Sequence, residues 1–527
     1  MSVAIASRRA LVDAMLDPDF YPHRPRTVEL RETNISWVFR AGTLAYKVKK
    51  PIVLPFLDYG TLERRRRMCE AEVRLNRPLA SSVYLRVVGI FEREGRFAIG
   101  SVGGPGAIEY AVEMRAVEEE RSIEALARGG ELEQSQITAV ARRLARFHAE
   151  VPVAGRDPRR LDHFIAAITD NLATMSRAGE GILSEDRLRA AGGFTASSLA
   201  ARWTELERRL LAGRLRECHG DLRAEHVILP PAAPPYVYDC VEFSARLREI
   251  DVSADLAFLV MDLLRLGEKE LAKALVRDYR SAGGDPGDDR LIDFFAAYRA
   301  WVRATVACER ARELPLGEAE RRRQERAAEE YLAIGHRLAW DARGPLLLVV
   351  CGVAASGKTT LAERLAEISG WPHLCSDLIR KRLAGVAPTA RGARRIYDAG
   401  STARTYRELG REARSALADE RGVIVDATFH RRAERDSFAE GLGGLAAPQL
   451  TVQCVASRST LLRRAASRQR EAARVSDAGP EIVHRQLAEW EPFDRGQREG
   501  NSLLELCTEL DPAGLVALVE RDLDRWL

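Results

Sequence analysis

Apolar and polar positions alternate with a short period at the start of the chain, change to a helical period, and return to short apolar runs near the end. After a short predicted helix over 7–16, residues 27–31, 35–40 and 43–49 read as β-rich segments, with Ala41-Gly42 as the turn between the last two. A charged, helix-favouring run over 62–79 follows, and 83–91, 97–99 and 109–115 return to strand. Past Ser122 the spacing becomes helical, with Ile137, Val140, Leu144 and Phe147 falling on one face. Residues 291–340 read as charged helix. Beyond Gly344-Pro345, apolar runs at 346–351, 373–375, 422–425, 450–455 and 503–507 alternate with helical stretches. That alternation predicts a parallel sheet with helices on both faces, and ligands at the carboxyl ends of its strands. The pattern therefore predicts an α+β domain over 1–340, a linker at 341–344 and an α/β domain over 345–527.

Composition narrows the class of protein. A chain of 527 residues is too long for one core. Its 81 basic and 77 acidic residues leave a formal charge of +4, which provides no whole-chain footprint for nucleic acid or membrane. The eight cysteines are scattered without a C-x-x-C, so neither a disulfide framework nor a zinc site is expected. No apolar run approaches the ~18 residues of a membrane span, and the expected location is the cytoplasm.

The strongest chemical signal is Leu346–Thr360, LLLVVCGVAASGKTT. Gly352–Thr359 fits G-x-x-x-x-G-K-[ST], a phosphate-binding (Walker A) loop between a strand and a helix. In such a loop the backbone N–H groups of Ala355, Ser356, Gly357 and Thr360 face phosphate, Lys358 reaches the outer phosphates and the Thr359 hydroxyl meets Mg²⁺. Two further motifs fall at strand ends of the same domain. SDLIRKRL from Ser376 sets Asp377 and Arg380 three apart on a helix, a carboxylate and a guanidinium suited to phosphoryl transfer. VIVDATF from Val423 ends in Asp426, the expected second acid near Mg²⁺. A basic helix over 457–474 has the character of a lid, with Arg468 the first choice and Arg464 the second for closing over phosphate.

A second constellation lies upstream. CHGDLRAEHVIL holds His219, Gly220 and Asp221 ahead of a strand, and YVYD ends at Asp239, 18 positions after Asp221. The arrangement is similar to the catalytic loop and metal-binding acid of protein-kinase-like phosphotransferases. Together with TNISWVFRAGTLAYKVKKP, FLDYGTLERRRRMCEAEVRLNR, YDCVEFS and DVSADLAFLVMDL, it makes the N-terminal domain resemble aminoglycoside-phosphotransferase-like enzymes, and the whole chain resemble bacterial fusions of such a domain with a P-loop ATP-binding (AAA-family) domain. The resemblance implies a bilobal protein-kinase-like fold with Lys47 as the phosphate lysine, Glu72 as its helix partner (Glu70 being the rival), Asp221 as the catalytic carboxylate and Asp239 as a metal ligand. It also departs at one place: the position commonly held by a metal-binding Asn is His226, a poorer partner for Mg²⁺. His219 and the pair Asp251 and Asp255 are expected to brace the loop.

The C-terminal domain resembles the small P-loop kinases that include gluconate-kinase-like, zeta-toxin-like and polynucleotide 5′-hydroxyl kinase domains, through S-D-x-x-R at 376–380 and V-D-A-T at 425–428. The expectation is a phosphotransferase with two kinase-type sites that use ATP, or GTP in its place, with Mg²⁺, and act on hydroxyls of small molecules. Two alternatives stand beside it: a regulatory nucleotide-binding protein whose N-terminal unit is silent, and a polynucleotide 5′-hydroxyl kinase. The cluster Arg391, Arg394, Arg395, Arg404, Arg407, Arg411 and Arg414 speaks for the last, and the balance of 27 Lys and Arg against 25 Asp and Glu over 344–527 speaks against it. The oligomeric state and the identity of either acceptor do not follow from the sequence.

Overall fold

The strand-forming runs of the first 115 residues are too short and too amphipathic to stand alone, and they pair into one sheet. The computed structural model describes residues 2–54, 57–312, 317–387, 394–445, 447–468, 479–494 and 503–525. In it, Val28–Glu32, Ser36–Ala41, Leu44–Lys49, Ala107–Arg115, Tyr84–Arg93 and Arg96–Ser101 lie side by side in that order, every pair antiparallel. Alternation along Leu44–Lys49 divides its side chains. Tyr46 and Val48 enter a core with Phe39, Val88 and Ile90, while Ala45 faces a second core with Cys69, Val73 and Val112 on the side of helix Leu62–Ala80. Lys47 and Lys49 share the face of Ala45.

Helix Gln134–Glu150 buries Ile137, Val140, Leu144 and Phe147, the four positions expected from their spacing. Helix Val252–Arg265 is buried almost throughout and is N-capped by Asp251, whose side chain accepts from Ser253 N–H. These elements belong to a compact unit made of residues 1–168 and 204–288, protein-kinase-like in its antiparallel sheet, the helix Leu62–Ala80 packed on one face of it and the helical part that follows.

The second unit comprises residues 169–203 and 289–527. Its sheet has the order His373–Cys375, Gly422–Asp426, Leu346–Cys351, Gln449–Val455, Leu503–Cys507, all parallel. The central strand Leu346–Cys351 is buried at every position because both faces are covered. Leu346, Leu348 and Val350 pack with Leu361, Leu365 and Val519, and Leu347, Val349 and Cys351 pack with Ile379, Tyr406 and Phe438.

The compact units do not divide at 341–344. Trp340, the penultimate residue of helix Glu318–Asp341, is fully buried in the core of the parallel sheet, and its indole N–H donates to Glu520 at 2.9 Å. Arg343 pairs with Asp524 at 2.6 Å, and Arg421 lies 3.1 Å from Asp293. The helices of 289–341 thus share a unit with the phosphate-loop sheet. Among the described residues no helix is long and apolar enough to cross a membrane.

Candidate active sites

In the first unit, Thr61 caps helix Leu62–Ala80 by accepting Arg64 N–H, and the helix turns the face of Cys69 and Val73 to the sheet. Glu72 is buried on that face, with Oε1 at 2.9 Å from Lys47 Nζ. Glu70, two residues earlier and so on another face, is exposed and pairs with Arg66 at 3.0 Å. Lys47 also lies 2.5 Å from Asp239 Oδ1. Burial pushes the Lys47 ammonium down, but Asp239 and Glu72 outweigh it and keep the lysine charged. Asp239 shows the mirror effect: burial raises its carboxyl, and Lys47 and His226 hold it well below the usual range.

The loop around Asp221 is held from below. Asp255 accepts the backbone N–H groups of His219 at 3.0 Å and Gly220 at 2.8 Å, and meets His148 Nε2 at 3.1 Å. Asp262, two turns further along the same helix, accepts Ala224 N–H at 3.0 Å. Gly220 has φ +83°, and a Cβ there would meet the Leu247 carbonyl at 2.8 Å, so only glycine fits. Burial pushes the His219 imidazole down, which keeps it neutral. It therefore donates from Nε2 to the Tyr238 carbonyl at 3.0 Å and accepts Asp221 N–H on Nδ1 at 3.3 Å. His219 braces the loop.

The antiparallel pair Val227–Ile228 and Tyr236–Val237 brings Asp239 back beside Asp221. Asp239 has φ +65°, a conformation that costs a non-glycine residue about 1 kcal/mol and that marks functional turns. Its N–H donates to the Tyr84 hydroxyl at 3.1 Å. His226 stands between the two acids: Nδ1 donates to the Asp221 carbonyl at 2.9 Å, and Nε2 lies 3.4 Å from Glu225 and 3.9 Å from Asp239. Lys47, Glu72, Asp221, His226 and Asp239 thus meet in one place. Lys49, which alternates with Lys47 on one strand face and by sequence is its rival for the phosphate role, lies buried beside Glu72, together with two residues the sequence does not single out, Glu242 and Tyr59.

In the second unit, Gly352, Ala355 and Gly357 all have positive φ, which curls the chain into a cradle at the start of helix Lys358–Ser369. A Cβ at Gly352 would lie 2.5 Å from the Cys454 carbonyl. Thr508, just past the last strand, donates its hydroxyl to the Ser356 carbonyl at 2.5 Å, and Gln486 Oε1 accepts Ala354 N–H at 2.7 Å. Val353, Ala354 and Ala355 pack against Leu461, Ala465 and Val483. The ammonium of Lys358 has no hydrogen-bond or ion-pair partner among the described residues, and Thr360 is exposed.

Asp426 ends the strand beside the loop, at 1% exposure, and neither carboxylate oxygen has a hydrogen-bond partner among the described residues. Burial raises its carboxyl, yet His373, Lys358 and Thr359 together hold it below the usual range. A buried, ionised carboxylate beside a P-loop threonine, with His373 Nε2 3.8 Å away and no hydrogen bond to either oxygen among the described residues, fits a divalent cation held by Thr359 and Asp426.

A family model described as AAA domain matches residues 347–493. The uncharacterized protein Rv2004c of Mycobacterium tuberculosis is 30% identical over 483 residues, which cover 89% of this chain and 92% of that one. The chain belongs to the same family as this mycobacterial protein. Solved structures similar to it include a gluconokinase from Sinorhizobium meliloti 1021 (23% identity, 35% of this chain and 94% of that one, TM-score 0.26). Another is a choline/ethanolamine kinase family protein from Mesorhizobium loti (14% identity, 62% of this chain and 99% of that one, TM-score 0.35).

The remaining predicted residues of this family member are distributed unevenly. The Asp377 carboxylate has no hydrogen-bond or ion-pair partner among the described residues, whereas Arg380 is buried, donates to the Ile396 carbonyl at 3.2 Å and Thr402 at 3.1 Å, and lies 5.1 Å from the Tyr397 ring. These bonds engage Arg380 Nη1, while its buried Nε has no hydrogen-bond partner among the described residues. Arg464 is an anchor: it donates to the Thr508 hydroxyl at 3.0 Å and carbonyl at 2.7 Å, underneath the phosphate loop. The Arg468 side chain, with Arg391, Arg470 and the side chains of Arg394 and Arg395, lies outside the described residues. Of the arginine cluster, Arg407 pairs with Glu440 at 2.9 Å and Arg411 pairs with Glu408, so part of the basic stripe is neutralised.

Proposed function

We propose that the chain is an ATP-dependent phosphotransferase with two kinase-type sites, each moving a γ-phosphoryl group to the hydroxyl of a small molecule. The observation that supports this reading is that each unit brings a lysine near an acid, Lys47 to Asp239 in one and Lys358 to Asp426 in the other, a pairing suited to phosphate and Mg²⁺. In the first unit Asp221 is the carboxylate that orients an acceptor hydroxyl and takes its proton, and Glu72 aims Lys47 at the nucleotide phosphates. In the second, the loop N–H groups and Lys358 neutralise developing charge, and Asp377, whose carboxylate has no hydrogen-bond or ion-pair partner among the described residues, is the acceptor-side carboxylate. Asp239 in the first unit, and Thr359 with Asp426 in the second, would hold Mg²⁺, which when bound would supply charge neutralisation to the nucleotide phosphates. Pairing of Arg407 and Arg411 with carboxylates supports a small acceptor over a polynucleotide.

A second reading follows from one observation. His226, close to Glu225 and Asp239, occupies the position where a kinase loop commonly holds a metal-binding amide, which favours a first unit that binds nucleotide without turnover and regulates the second. Measuring ATP consumption over a library of hydroxyl metabolites, aminoglycosides and 5′-hydroxyl oligonucleotides separates these readings. If Asp221→Ala and Lys358→Ala each abolish a distinct acceptor-dependent activity, both sites are kinases. If Asp221→Ala changes nothing while Lys358→Ala removes all turnover, the two-site reading fails and the regulatory one replaces it.

A further inference from the structure

The mechanism proposed for the first unit uses one lysine of the strand Leu44–Lys49, yet two lysines from that strand meet the same glutamate. Lys47 Nζ takes Glu72 Oε1 at 2.9 Å, and Lys49 Nζ takes Glu72 Oε2 at 2.7 Å. The Lys49 and Glu72 side chains are fully buried, so Lys49 is not placed to touch a nucleotide. Its second partner is Glu242, which also accepts the hydroxyl of buried Tyr59. The Tyr59 ring lies 5.0 Å from Lys49 Nζ.

We propose that Lys49 and Glu242 are a buried positioning pair that fixes the aim of Lys47, an inference that rests on the kinase reading of this unit. Glu242 is three residues past Asp239, so the chain Glu72, Lys49, Glu242 ties helix Leu62–Ala80 to the segment carrying the metal-binding acid. A second tie runs the same way: Asn76, one turn after Glu72, accepts Cys240 N–H at 2.9 Å. Helix and segment are therefore gripped at two points that do not involve Lys47. With Oε2 taken by Lys49, the Glu72 carboxylate cannot rotate, and Oε1 is presented to Lys47 in one geometry. When Lys47 leaves Asp239 to reach a phosphate, Glu72 stays where it is. A single Lys–Glu pair has no such reserve, since losing it frees the helix. Lys49 and Glu242 carry opposite charges, so replacing both leaves the net charge of the cluster unchanged while freeing Glu72 Oε2.

The test uses the full chain carrying Lys358→Ala, which silences the phosphate-loop site, and compares Lys49→Met, Glu242→Gln and the double variant. Thermal unfolding, binding of a fluorescent ATP analogue and acceptor-dependent turnover are measured, with Lys47→Ala as reference. Each single variant leaves a buried charge half-paired and is expected to melt early, and the double variant to recover most of that loss. Despite its recovered stability, the double variant is expected to bind the analogue about 10-fold more weakly and to turn over at least about 10-fold more slowly, the equivalent of one charge-assisted hydrogen bond. Tyr59→Phe, which removes only a hydroxyl from Glu242, is expected to weaken binding by about 3-fold. A double variant, or Tyr59→Phe should the double variant not fold, that binds and turns over within measurement error of its parent overturns the proposal while the kinase reading stands. If the Lys358→Ala parent itself binds no nucleotide, the kinase reading of the unit fails, and the pair with it.

Discussion

Asp255 carries more of the first site than its distance from any phosphate suggests. It is fully buried and accepts hydrogen bonds from His219 N–H, Gly220 N–H and His148 Nε2. Replacement by alanine takes this acceptor from two backbone donors and an imidazole N–H inside the fold, where His219, Gly220 and His148 are all buried. An unsatisfied buried donor costs about 1–3 kcal/mol, so Asp255→Ala is expected to destabilise the unit by about 3–5 kcal/mol, a large share of the ~5–15 kcal/mol of an ordinary domain. Asp255→Asn keeps the shape and one acceptor oxygen and is expected to cost about half as much. Two-unit chains do not unfold in one step, so a urea titration is best read by pulsed hydrogen exchange over peptides spanning 215–265, with turnover measured alongside. Because Asp221 follows Gly220 directly, both variants are expected to lower the activity that Asp221→Ala removes. A loss below about 1 kcal/mol in Asp255→Ala, with turnover intact, would show that the loop is held by something else.

Three further outcomes are expected. Glu72→Gln lowers turnover of the first site by about 10-fold or more, whereas Glu70→Gln, which breaks only an exposed pair worth a few tenths of a kcal/mol, leaves activity and melting temperature unchanged; equal effects would refute the assignment of Glu72. Lys358→Ala lowers turnover at the phosphate loop by at least about 100-fold, while ATP-analogue binding to the first unit, read in that background, persists; a loss at both sites would contradict their independence. His336 is buried, donates Nδ1–H to the Leu332 carbonyl at 3.0 Å, and burial pushes its imidazole down to about 4. Since the folded value lies below the ordinary His value near 6.5, protons favour the unfolded chain: this stability is complete above about pH 6.5 and lost as pH falls toward about 4, by about 3 kcal/mol. His336→Leu is expected to flatten that acid limb for the second unit in a melting series over pH.

Much of this architecture was legible in the residue pattern because its causes are local. Strand alternation depends on neighbouring residues, and the six antiparallel strands and five parallel strands all fall where apolar runs predicted them. The phosphate loop and the His219-Gly220-Asp221 turn are equally local, since glycine and positive φ are demanded by the chain's own path. What the linear order does not contain is which side chains meet after the chain has crossed back on itself. Glu70 and Glu72 are both acids on one predicted helix, and only the placement of that helix on the sheet buries one against Lys47 and leaves the other in solvent. Lys49 and Glu242 are 193 positions apart, so no spacing rule joins them. The unit division is likewise tertiary: Trp340 reads as the end of a solvated helix, yet burying its indole in the parallel-sheet core gains more than exposing it, and helices of 289–341 follow it there. Arg464, read from sequence as a mobile phosphate contact, is held by Thr508 because the last parallel strand ends beside it. Local sequence determined the elements and the motifs, and long-range burial of charge and aromatic surface decided which residues became partners.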